Sequence, residues 1–376
     1  MLIGIPKEIK NQEARVGATP AMVRMLVQDG HHVLVESQAG ALVGFQDELY
    51  LAAGAKIVFS PKEVYQAEMI IKVKEPQKSE FALMHEGQIL FTYLHLAPDP
   101  EQTKHLVDQK VVAIAYETVT DKEGRLPLLT PMSEVAGRMA VQAGASALQM
   151  NHGGKGILLG GVPGVAPGRV LVIGAGVVGT HAAMMAMGLG ADVTIVDRSL
   201  PRLRELNLIF GGRLRARFST EQTIEEEIKV ADLVIGAVLI PGKSAPKLVS
   251  RKMIQSMAPG SVFVDVAIDQ GGCSETSRPT SHSHPTYEVD GVIHYCVTNM
   301  PGGCARTSTI ALTNATMPYA QKIALLGYKQ ALLEDRGLLQ GLNVHYGQVT
   351  NPHVAHDLGY PFVSPESVLY PHKLKS

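Results

Sequence analysis

Residues 170–179 are Val170-Leu-Val-Ile-Gly-Ala-Gly-Val-Val-Gly179, an apolar run that passes directly into a Gly-x-Gly-x-x-Gly motif. A helical pattern follows from His181 to Gly190, so the stretch predicts the strand, turn and helix that open a Rossmann-like, dinucleotide-binding domain. Gly174 permits the tight turn, Gly176 lets the backbone approach a pyrophosphate, and Gly179 lets the helix pack closely on the strand. N–H groups at the helix N-terminus are expected to bind the phosphates.

A carboxylate follows at the distance that this motif requires. Asp197 ends the next predicted strand, about 20 residues after the glycines, where it can accept hydrogen bonds from the adenosine ribose hydroxyls. Its negative charge would repel a 2′-phosphate and therefore favours NAD over NADP, although the neighbouring Arg198 can pair with such a phosphate. The alternative is a glycine-rich turn that binds no ligand.

Short apolar runs alternate with helical patterns on both sides of this motif. The alternation predicts an α/β protein with parallel sheets, because helical connections between strands imply right-handed parallel crossovers. In the central part of the chain the predicted strands are Arg169–Ile173, Asp192–Val196, Ala216–Phe218, Leu233–Ala237, Ser261–Val266 and Val292–Val297. In the first third they are Leu2–Ile5, His32–Glu36, Lys56–Phe59, Met69–Val73, Ile89–Leu94 and Val111–Tyr116.

Two long helical patterns divide the chain into two predicted Rossmann-like domains. One runs from Thr130 to about Met150, and the other from Thr307 to Leu326 with a kink expected at Pro318. The predicted bounds are 129–306 for the cofactor-binding domain and 1–128 with 307–376 for the substrate domain. The long helices are expected to join the domains, with the active site in the cleft between them. After Asn343 the chain is expected to be mostly irregular.

Composition excludes several classes of function. The 376 residues carry 34 Lys and Arg against 35 Asp and Glu, so no basic excess is available for nucleic acid. The most apolar window, 156–179, is broken by prolines, glycines and Arg169, and we expect neither a membrane span nor a signal peptide. Three cysteines are an odd number for a disulfide framework, so we expect a reduced, cytoplasmic protein, and the absence of a CxxC spacing argues against a zinc site. His282 and His284 lack further ligands at metal spacing, so we expect a polar surface loop and no metal.

Further short motifs occur in order along the whole chain. They are Ile5-Pro-Lys-Glu8, Asn11-Gln-Glu-Ala-Arg15-Val-Gly-Ala-Thr-Pro20, Lys72-Val-Lys74-Glu-Pro76, Tyr93-Leu-His95-Leu-Ala97, Asp265-Val-Ala-Ile-Asp269-Gln-Gly-Gly272, Tyr295-Cys-Val-Thr-Asn299-Met-Pro301 and Thr307-Ser-Thr309. Together with the glycine motif, this series resembles the bacterial alanine dehydrogenases over essentially the full length. One departure is Gly302-Gly-Cys304-Ala-Arg306, where we expect a proline just before the basic residue.

The resemblance implies reversible oxidative deamination of L-alanine to pyruvate and ammonium with NAD, by a homohexamer of two-domain subunits. It also implies that the cofactor lies near Ser133, Val178, Arg202, Ser219 and Asn299, although Ser and Asn commonly serve as caps or turns. Some of the motifs and the fold also occur in the nucleotide-binding part of the proton-translocating transhydrogenase alpha subunit. A subunit that passes hydride to a partner is therefore one alternative, and a dehydrogenase for another small amino or 2-oxo acid is a second.

Three candidate residues follow strands of the first domain. Lys74, His95 and Glu117 come just after predicted strands whose carboxyl ends share one sheet edge, where ligands bind in open α/β folds. Asp269 holds the corresponding position in the other domain, so both sets are expected to face one cleft. His95 is predicted as the general acid/base because an imidazole with a pKa of about 6.5 both accepts and donates protons near neutral pH. The alternative is a histidine that is only hydrogen-bonded within the fold.

The two predicted carboxylates have different roles. Asp269 is expected to orient the reacting water or amine, or to pair with His95. An aspartate that only caps its loop is the alternative. Glu117 is a weaker candidate for the substrate side, with a surface carboxylate after a strand as its alternative.

Cations are needed to bind the carboxylate of an amino acid. Arg15 can bind a carboxylate with two parallel hydrogen bonds, and Lys74 can polarise the carbonyl group of pyruvate. Spacing alone leaves Lys72 and Lys74 equivalent, because residues two apart face the same side of a strand. The resemblance selects Lys74. Solvated surface cations are the alternative for these residues.

Overall fold

The structure, a computed structural model, describes residues 1–238 and 245–370. Residues 239–244 and 371–376, which the predicted domains include, lie outside the described residues. The chain forms two compact units, and we call Met1–Met132 with Ala305–Ser376 the first unit and Ser133–Cys304 the second unit. The predicted α/β class with two sheets of mainly parallel strands is confirmed. The assignment of substrate to one unit and cofactor to the other stays a prediction.

Strands and helices alternate along the N-terminal part of the chain. The strands are β1 (Leu2–Ile5), β2 (His32–Glu36), β3 (Lys56–Val58), β4 (Met69–Ile71), β5 (Ile89–Thr92) and β6 (Val112–Ala115). The helices are α1 (Pro20–Gln28), α2 (Asp47–Ala52), α3 (Pro61–Val64), α4 (Lys78–Phe81) and α5 (Pro100–Asp108). α1 begins as the sequence predicts, because the side chain of Thr19 accepts a hydrogen bond from the N–H of Met22.

The same alternation continues in the middle and at the C-terminal end of the chain. The middle contains α6 (Thr130–Ala147), β7 (Arg169–Ile173), α7 (Val177–Gly188), β8 (Asp192–Asp197), α8 (Leu200–Phe210), β9 (Arg215–Phe218), α9 (Glu221–Ile228), β10 (Leu233–Gly236), α10 (Arg251–Gln255), β11 (Val262–Asp265), β12 (Thr286–Val289) and β13 (Val292–Tyr295). The end contains α11 (Ala305–Leu326), α12 (Tyr328–Glu334), α13 (Arg336–Leu339), β14 (Leu342–His345), β15 (Gln348–Val349), α14 (Pro352–Leu358) and α15 (Pro365–Leu369).

The first unit contains an eight-stranded sheet in the order β15-β14-β6-β5-β4-β1-β2-β3. The neighbours among β1 to β6 are parallel, whereas β14 runs antiparallel to β6 and β15 runs antiparallel to β14. β4, β5 and β6 are adjacent, with Ile71 opposite Phe91. The segments after these three strands therefore leave the sheet at one edge, and they carry Lys74, His95 and Glu117.

The second unit contains a seven-stranded sheet in the order β12-β13-β11-β10-β7-β8-β9. Only its edge pair β12 and β13 is antiparallel among the described residues. The order of the strands along the chain reverses between β7 and β10, where Ile173 lies opposite Gly236. Ligands of open α/β sheets bind at such a switch point, and the glycine motif directly follows β7.

The central strands of both sheets are buried on both faces. Every residue of β5, β6, β10 and β11 is buried. This burial explains why these segments appear in the sequence as continuous apolar runs instead of the alternating pattern of a half-exposed strand. Such runs make the strands of a parallel sheet easy to locate.

The prediction of a mostly irregular tail after Asn343 is wrong, because β14, β15, α14 and α15 form there. β14 has only four residues, and two of them, Asn343 and His345, are polar yet buried. β12 was also missed, because its residues are not fully buried. α11 continues through Pro318 to Leu326. Across the described ranges, no helix combines the length and the apolarity needed to cross a membrane.

The buried end of β14 generates a prediction about acid stability. Burial, with a smaller contribution from the charge of Lys329, lowers the pKa of His345 to about 4. Its Nε2 lies 3.2 Å from the hydroxyl of Tyr328. The folded protein therefore holds this histidine neutral, whereas the unfolded chain takes up a proton below a pH of about 6.5. The stabilisation is present above that pH and is lost as the pH falls towards 4.

We expect His345→Gln to reduce the drop in melting temperature between pH 7 and pH 5. At pH 5 the proton uptake by the unfolded chain costs the unaltered protein at most about 2 kcal/mol. Thermal unfolding at several pH values measures the effect, and the exposed His353, changed to Gln, is the matched control. Equal pH slopes for the unaltered protein and for His345→Gln would contradict the proposed origin.

Candidate active site

The backbone of Lys74 is fixed on both sides in the segment after β4. Its N–H donates to Oε1 of Glu8 at 3.3 Å, and its carbonyl accepts a hydrogen bond from Oγ1 of Thr92 at 3.0 Å. Burial, followed by the positive charges of Arg15 and Lys10, lowers the pKa of Lys74. Lys74 therefore lies in a cationic environment, which suits the binding of an anion.

Arg15 is buried and held by a neighbour that the sequence analysis missed. Its Nε donates to Oε1 of Glu13 at 2.7 Å and its Nη2 donates to Oε2 at 2.6 Å, while Nη1 lies 3.1 Å from Sδ of Met132. One edge of the guanidinium is thus occupied by Glu13. Arg15, Glu13 and Lys74 together carry one net positive charge, which matches the charge of one carboxylate.

His95 lies just beyond the end of β5 in an uncommon backbone conformation. Its φ is +48°, in the left-handed region, and its side chain is half exposed. The ring of Tyr93 lies nearly parallel to the imidazole, with the two ring centroids 6.0 Å apart. The imidazole is therefore accessible to a ligand, as a general acid/base must be.

Glu117 contacts His95 and is not a solvated surface carboxylate. Its Oε1 accepts a hydrogen bond from the N–H of His95 at 2.6 Å, and Oε2 accepts one from the N–H of Leu94 at 3.2 Å. Oε1 also lies 3.9 Å from Nδ1 of His95. Glu117 therefore holds the backbone of His95 and lies beside its imidazole.

Lys72 differs from Lys74 in its surroundings, although the sequence spacing treats them alike. Its side chain is fully buried, with Nζ 2.9 Å from Oε1 of Glu80 and 3.3 Å from Oε2 of Glu8. Burial alone would lower the pKa of Lys72, but the charges of Glu8 and Glu80 outweigh it and raise the pKa. An enclosed and paired ammonium has no access to a ligand, so the structure favours Lys74 as the substrate cation.

The glycine motif of the second unit has the geometry of a close backbone approach. Gly174 has a φ of +102°, which favours glycine. Gly176 is the N-cap residue of α7, and a Cβ added there would meet open space. A Cβ on Gly179 would lie 1.8 Å from the carbonyl oxygen of Gly174, so this position cannot carry a side chain. Val178 lies in the first turn of α7, with its carbonyl against Gly137 of α6.

Asp197 and Arg202 both hold the glycine loop through Ala175. Oδ2 of Asp197 accepts a hydrogen bond from the N–H of Ala175 at 2.7 Å, and Oδ1 accepts one from Ser199 at 2.7 Å. Nε of Arg202 donates to the carbonyl of Ala175 at 2.9 Å, and its Nη2 donates to Oγ1 of Thr180 at 2.8 Å. Each oxygen of Asp197 keeps further acceptor capacity, whereas the guanidinium of Arg202 is engaged with the loop.

A cavity of about 200 Å³ opens beside this loop. Gly174, Asp197, Arg198 and Ser219 line it together with apolar side chains such as Leu248. A polar carboxylate at the rim of an apolar pocket suits a nucleoside, whose base is flat and whose ribose carries hydroxyls. The loop and the cavity together therefore fit the adenosine and pyrophosphate parts of a dinucleotide.

The remaining predicted residues of the second unit lie in two places. Asp269 is exposed in the turn Val266–Gln270, and its Oδ1 accepts a hydrogen bond from the N–H of Asn299 at 3.3 Å. Nε2 of His282 lies 3.3 Å from the carbonyl oxygen of Asn299. Ser133 is half-buried in α6. No group of three or more metal-binding side chains is found in residues 1–238 and 245–370.

A buried carboxylate that the sequence analysis did not assign holds the loop that carries Asp269. Asp265 accepts hydrogen bonds from the N–H groups of Ala267 at 3.1 Å and Cys273 at 2.8 Å, and from Oγ of Ser277 at 2.5 Å. Cys273 is fully buried, and burial, followed by the charge of Asp265, raises its pKa well above the usual range. A buried thiol that is kept in its neutral form is a poor nucleophile, because a nucleophile needs the thiolate.

Comparison with known proteins assigns the two halves of the chain to one family. Residues 4–136 match the family model "Alanine dehydrogenase/PNT, N-terminal domain", and residues 140–352 match "Alanine dehydrogenase/PNT, C-terminal domain". The alanine dehydrogenase of Methanococcus maripaludis is 59% identical over 364 residues, which cover 96% of this chain and 98% of that protein.

Solved structures agree with these matches. A structure of an L-alanine dehydrogenase is similar with a TM-score of 0.93 at 53% identity, covering 96% of this chain and 99% of that one. A transhydrogenase from Sinorhizobium meliloti has a TM-score of 0.81 at 26% identity, covering 94% of this chain and 99% of that one. The predicted resemblance to alanine dehydrogenases is confirmed.

The glycine geometry separates a folding role from a ligand-binding role. We expect Gly179→Ala to lower the melting temperature, because its Cβ would overlap the carbonyl of Gly174. Gly176→Ala should lower the melting temperature much less than Gly179→Ala and should weaken NADH binding, because its Cβ enters the space that a pyrophosphate needs. Thermal unfolding and titration of NADH by fluorescence measure both effects.

Gly188→Ala is the matched control, since Gly188 ends the same helix and a Cβ there also meets open space. It should not lower the melting temperature, because alanine is the better helix former, and it should leave the affinity for NADH unchanged. Unaltered NADH affinity in Gly176→Ala would mean that the pyrophosphate binds elsewhere.

Proposed function

The chain belongs to the alanine dehydrogenase/PNT family, and from this premise we propose that it catalyses the reversible NAD-dependent oxidation of L-alanine to pyruvate and ammonium. The likeness to alanine dehydrogenases over nearly the whole chain carries the proposal. In the forward direction alanine, NAD⁺ and water give pyruvate, ammonium, NADH and a proton. The finer assignments that follow rest on the contacts of individual residues.

The residues of the second unit fit NAD. Gly174, Gly176, Val178 and Gly179 would hold the pyrophosphate, with Ser133, Arg202, Ser219 and Asn299 near other parts of the cofactor, while Asp197 would accept hydrogen bonds from the adenosine ribose. When bound, NAD⁺ supplies the acceptor for the hydride that leaves the Cα of alanine. The charge of Asp197 disfavours a 2′-phosphate, which supports NAD over NADP.

Arg15 and Lys74 are proposed to bind the substrate. The positive charge that remains after Glu13 pairs with Arg15 attracts the carboxylate of alanine. In the reverse direction Lys74 polarises the carbonyl oxygen of pyruvate and stabilises the negative charge that builds on it. Burial strengthens both effects, because water screens a buried charge less.

His95 is proposed as the general acid/base. The amine of alanine must lose protons before it can become an imine, and water must lose a proton when it adds to that imine. An exposed imidazole can accept each proton and return one to the departing ammonia. Glu117 holds the backbone of His95, and Asp269 is proposed to orient the reacting water or amine.

Two further features are proposed on the strength of the family resemblance. We expect the chain to assemble as a homohexamer and to work in the cytoplasm. Its partners would be the small molecules L-alanine, pyruvate and ammonium, together with NAD. Two of its three cysteines, Cys273 and Cys296, are buried as free thiols, which suits a reducing compartment.

A hydride-passing subunit is the second candidate, favoured by the similarity to a transhydrogenase. NADH formation from L-alanine and NAD⁺, followed by absorbance, distinguishes the two. Turnover of alanine, and a weaker or absent response to other amino acids, supports the dehydrogenase. Binding of NADH without turnover of any amino or 2-oxo acid would instead favour the hydride-passing subunit.

We expect His95→Ala to lower the turnover of alanine by roughly 10²- to 10⁴-fold, since it removes the proton acceptor.

Lys74→Ala should lower the turnover of pyruvate by roughly 10²-fold or more and leave NADH binding unchanged, because Lys74 acts on the substrate. Lys78→Ala is the matched control, since the side chain of Lys78 is 78% exposed. A comparable loss of NADH binding in Lys74→Ala would contradict its substrate role.

Asp197→Ala is expected to relax the preference for NAD. The variant removes the charge that repels a 2′-phosphate, so the ratio of kcat/KM for NADP to that for NAD should rise. Asp192→Ala, at the opposite end of β8, is the control and should leave the ratio unchanged. An unchanged ratio in Asp197→Ala would count against contact with the ribose.

A further inference from the structure

Two charged residues of the short motifs in the sequence have no role in the proposed chemistry. Glu8 ends the motif Ile5-Pro-Lys-Glu8, and Lys72 begins the motif Lys72-Val-Lys74-Glu-Pro76. Their side chains are at most 2% exposed. Such burial of charge is costly unless every group is paired, so the structure has to provide partners.

The partners form one connected network under the end of β4. Nζ of Lys72 lies 2.9 Å from Oε1 of Glu80 and 3.3 Å from Oε2 of Glu8. The hydroxyl of Tyr65 donates to Oε1 of Glu80 at 2.8 Å, and Oε2 of Glu80 accepts the N–H of Gln77 at 2.7 Å. Lys72 therefore holds two carboxylates, and only one of them faces Lys74.

The two oxygens of Glu8 have separate tasks. Oε2 faces the ammonium of Lys72, whereas Oε1 accepts hydrogen bonds from the N–H groups of Val73 at 2.7 Å and Lys74 at 3.3 Å. β4 has already ended at Ile71, so Oε1 supplies the acceptor for these two amides beyond the strand. A side chain with one oxygen cannot serve both the ammonium and the amides.

The backbone of Lys74 is consequently fixed by two side chains from distant parts of the chain. Glu8 binds its N–H, and Oγ1 of Thr92 donates to its carbonyl. The direction in which a side chain leaves the backbone follows from the φ and ψ of its residue. Two bonds on either side of one Cα therefore set where the ammonium of Lys74 can reach.

We propose that Glu8, held by Lys72, is a positioning residue that aims the ammonium of Lys74 at the substrate. This inference rests on the proposed role of Lys74 in the dehydrogenase. Glu8 is buried behind Lys74 and acts through its backbone, so it is not a catalytic residue. Glu80 pairs with the same lysine but makes no contact with the backbone of Lys74, and it therefore provides a built-in control.

The test compares Glu8→Gln with Glu80→Gln by steady-state kinetics with pyruvate, ammonium and NADH. Each variant removes one buried negative charge beside Lys72, so both should lower the melting temperature. Glu8→Gln should also raise the KM for pyruvate by about tenfold, since small displacements of a binding group are costly. Its affinity for NADH should not change. Glu80→Gln should leave the KM for pyruvate unaltered.

Glu8→Asp is the second variant, and it is decisive if Glu8→Gln does not fold. Aspartate keeps the charge for Lys72 but has a shorter reach, so it too should raise the KM for pyruvate. In a Lys74→Ala background, Glu8→Asp should change kcat/KM for pyruvate little, because the residue that it positions is gone.

If the unaltered protein is active and the Glu8 and Glu80 variants have the same KM for pyruvate, the positioning role of Glu8 is overturned and the proposed function is not. The same conclusion follows if Glu8→Asp lowers kcat/KM equally with and without Lys74. An unaltered protein that binds NADH but does not reduce pyruvate would overturn the proposed function, and the positioning role with it.

Discussion

Backbone N–H groups just beyond the last hydrogen bond of a strand need acceptors, and in both units carboxylates provide them. Glu8 serves the segment after β4, and Glu117 serves the segment after β5. In the second unit Asp197 binds the glycine loop, and Asp265 binds the loop after β11. These loops carry the candidate residues for substrate and cofactor. The positions of Lys74, His95 and the glycine loop thus depend on charge-assisted hydrogen bonds to carboxylates, which are stronger than bonds between neutral groups.

The positions of these carboxylates also determine which cationic side chains lack a carboxylate partner. In the first unit Lys72 is shared by Glu8 and Glu80, and Arg15 is bound by Glu13. Within the described part of the chain, Lys74 has no carboxylate at ion-pair distance, and its pKa is lowered by burial and by the cations beside it. An anionic substrate would relieve that repulsion. Pairing of the acidic residues with Lys72 and with one edge of Arg15 therefore leaves the ammonium of Lys74 available to an anion.

The sequence predicts those features that depend on local pattern. Most strands in the first third and the centre of the chain were located to within two residues, because buried parallel strands are continuous apolar runs with helices between them. β12 and β14 were missed because they are short and contain polar residues. The contacts of Glu8 with Lys74 and of Glu117 with His95 join positions 66 and 22 residues apart. Contacts between residues so far apart in the sequence leave no periodic pattern. The different surroundings of Lys72 and Lys74 are therefore seen only in the structure.

Two candidate residues share a feature that links conformation to chemistry. His95 and Asn299 have φ values of +48° and +52°, in the left-handed region, which costs most residues about 1–2 kcal/mol and asparagine less. In both cases the N–H of the residue donates to a carboxylate, Glu117 for His95 and Asp269 for Asn299. A hydrogen bond to a charged group contributes about 1.5–3 kcal/mol, so each can offset the strain beside it. Glu117 and Asp269 therefore stabilise the backbone conformation of His95 and Asn299, in addition to the roles proposed for them at the active site. Removing either carboxylate would therefore also release the backbone strain of the loop beside it.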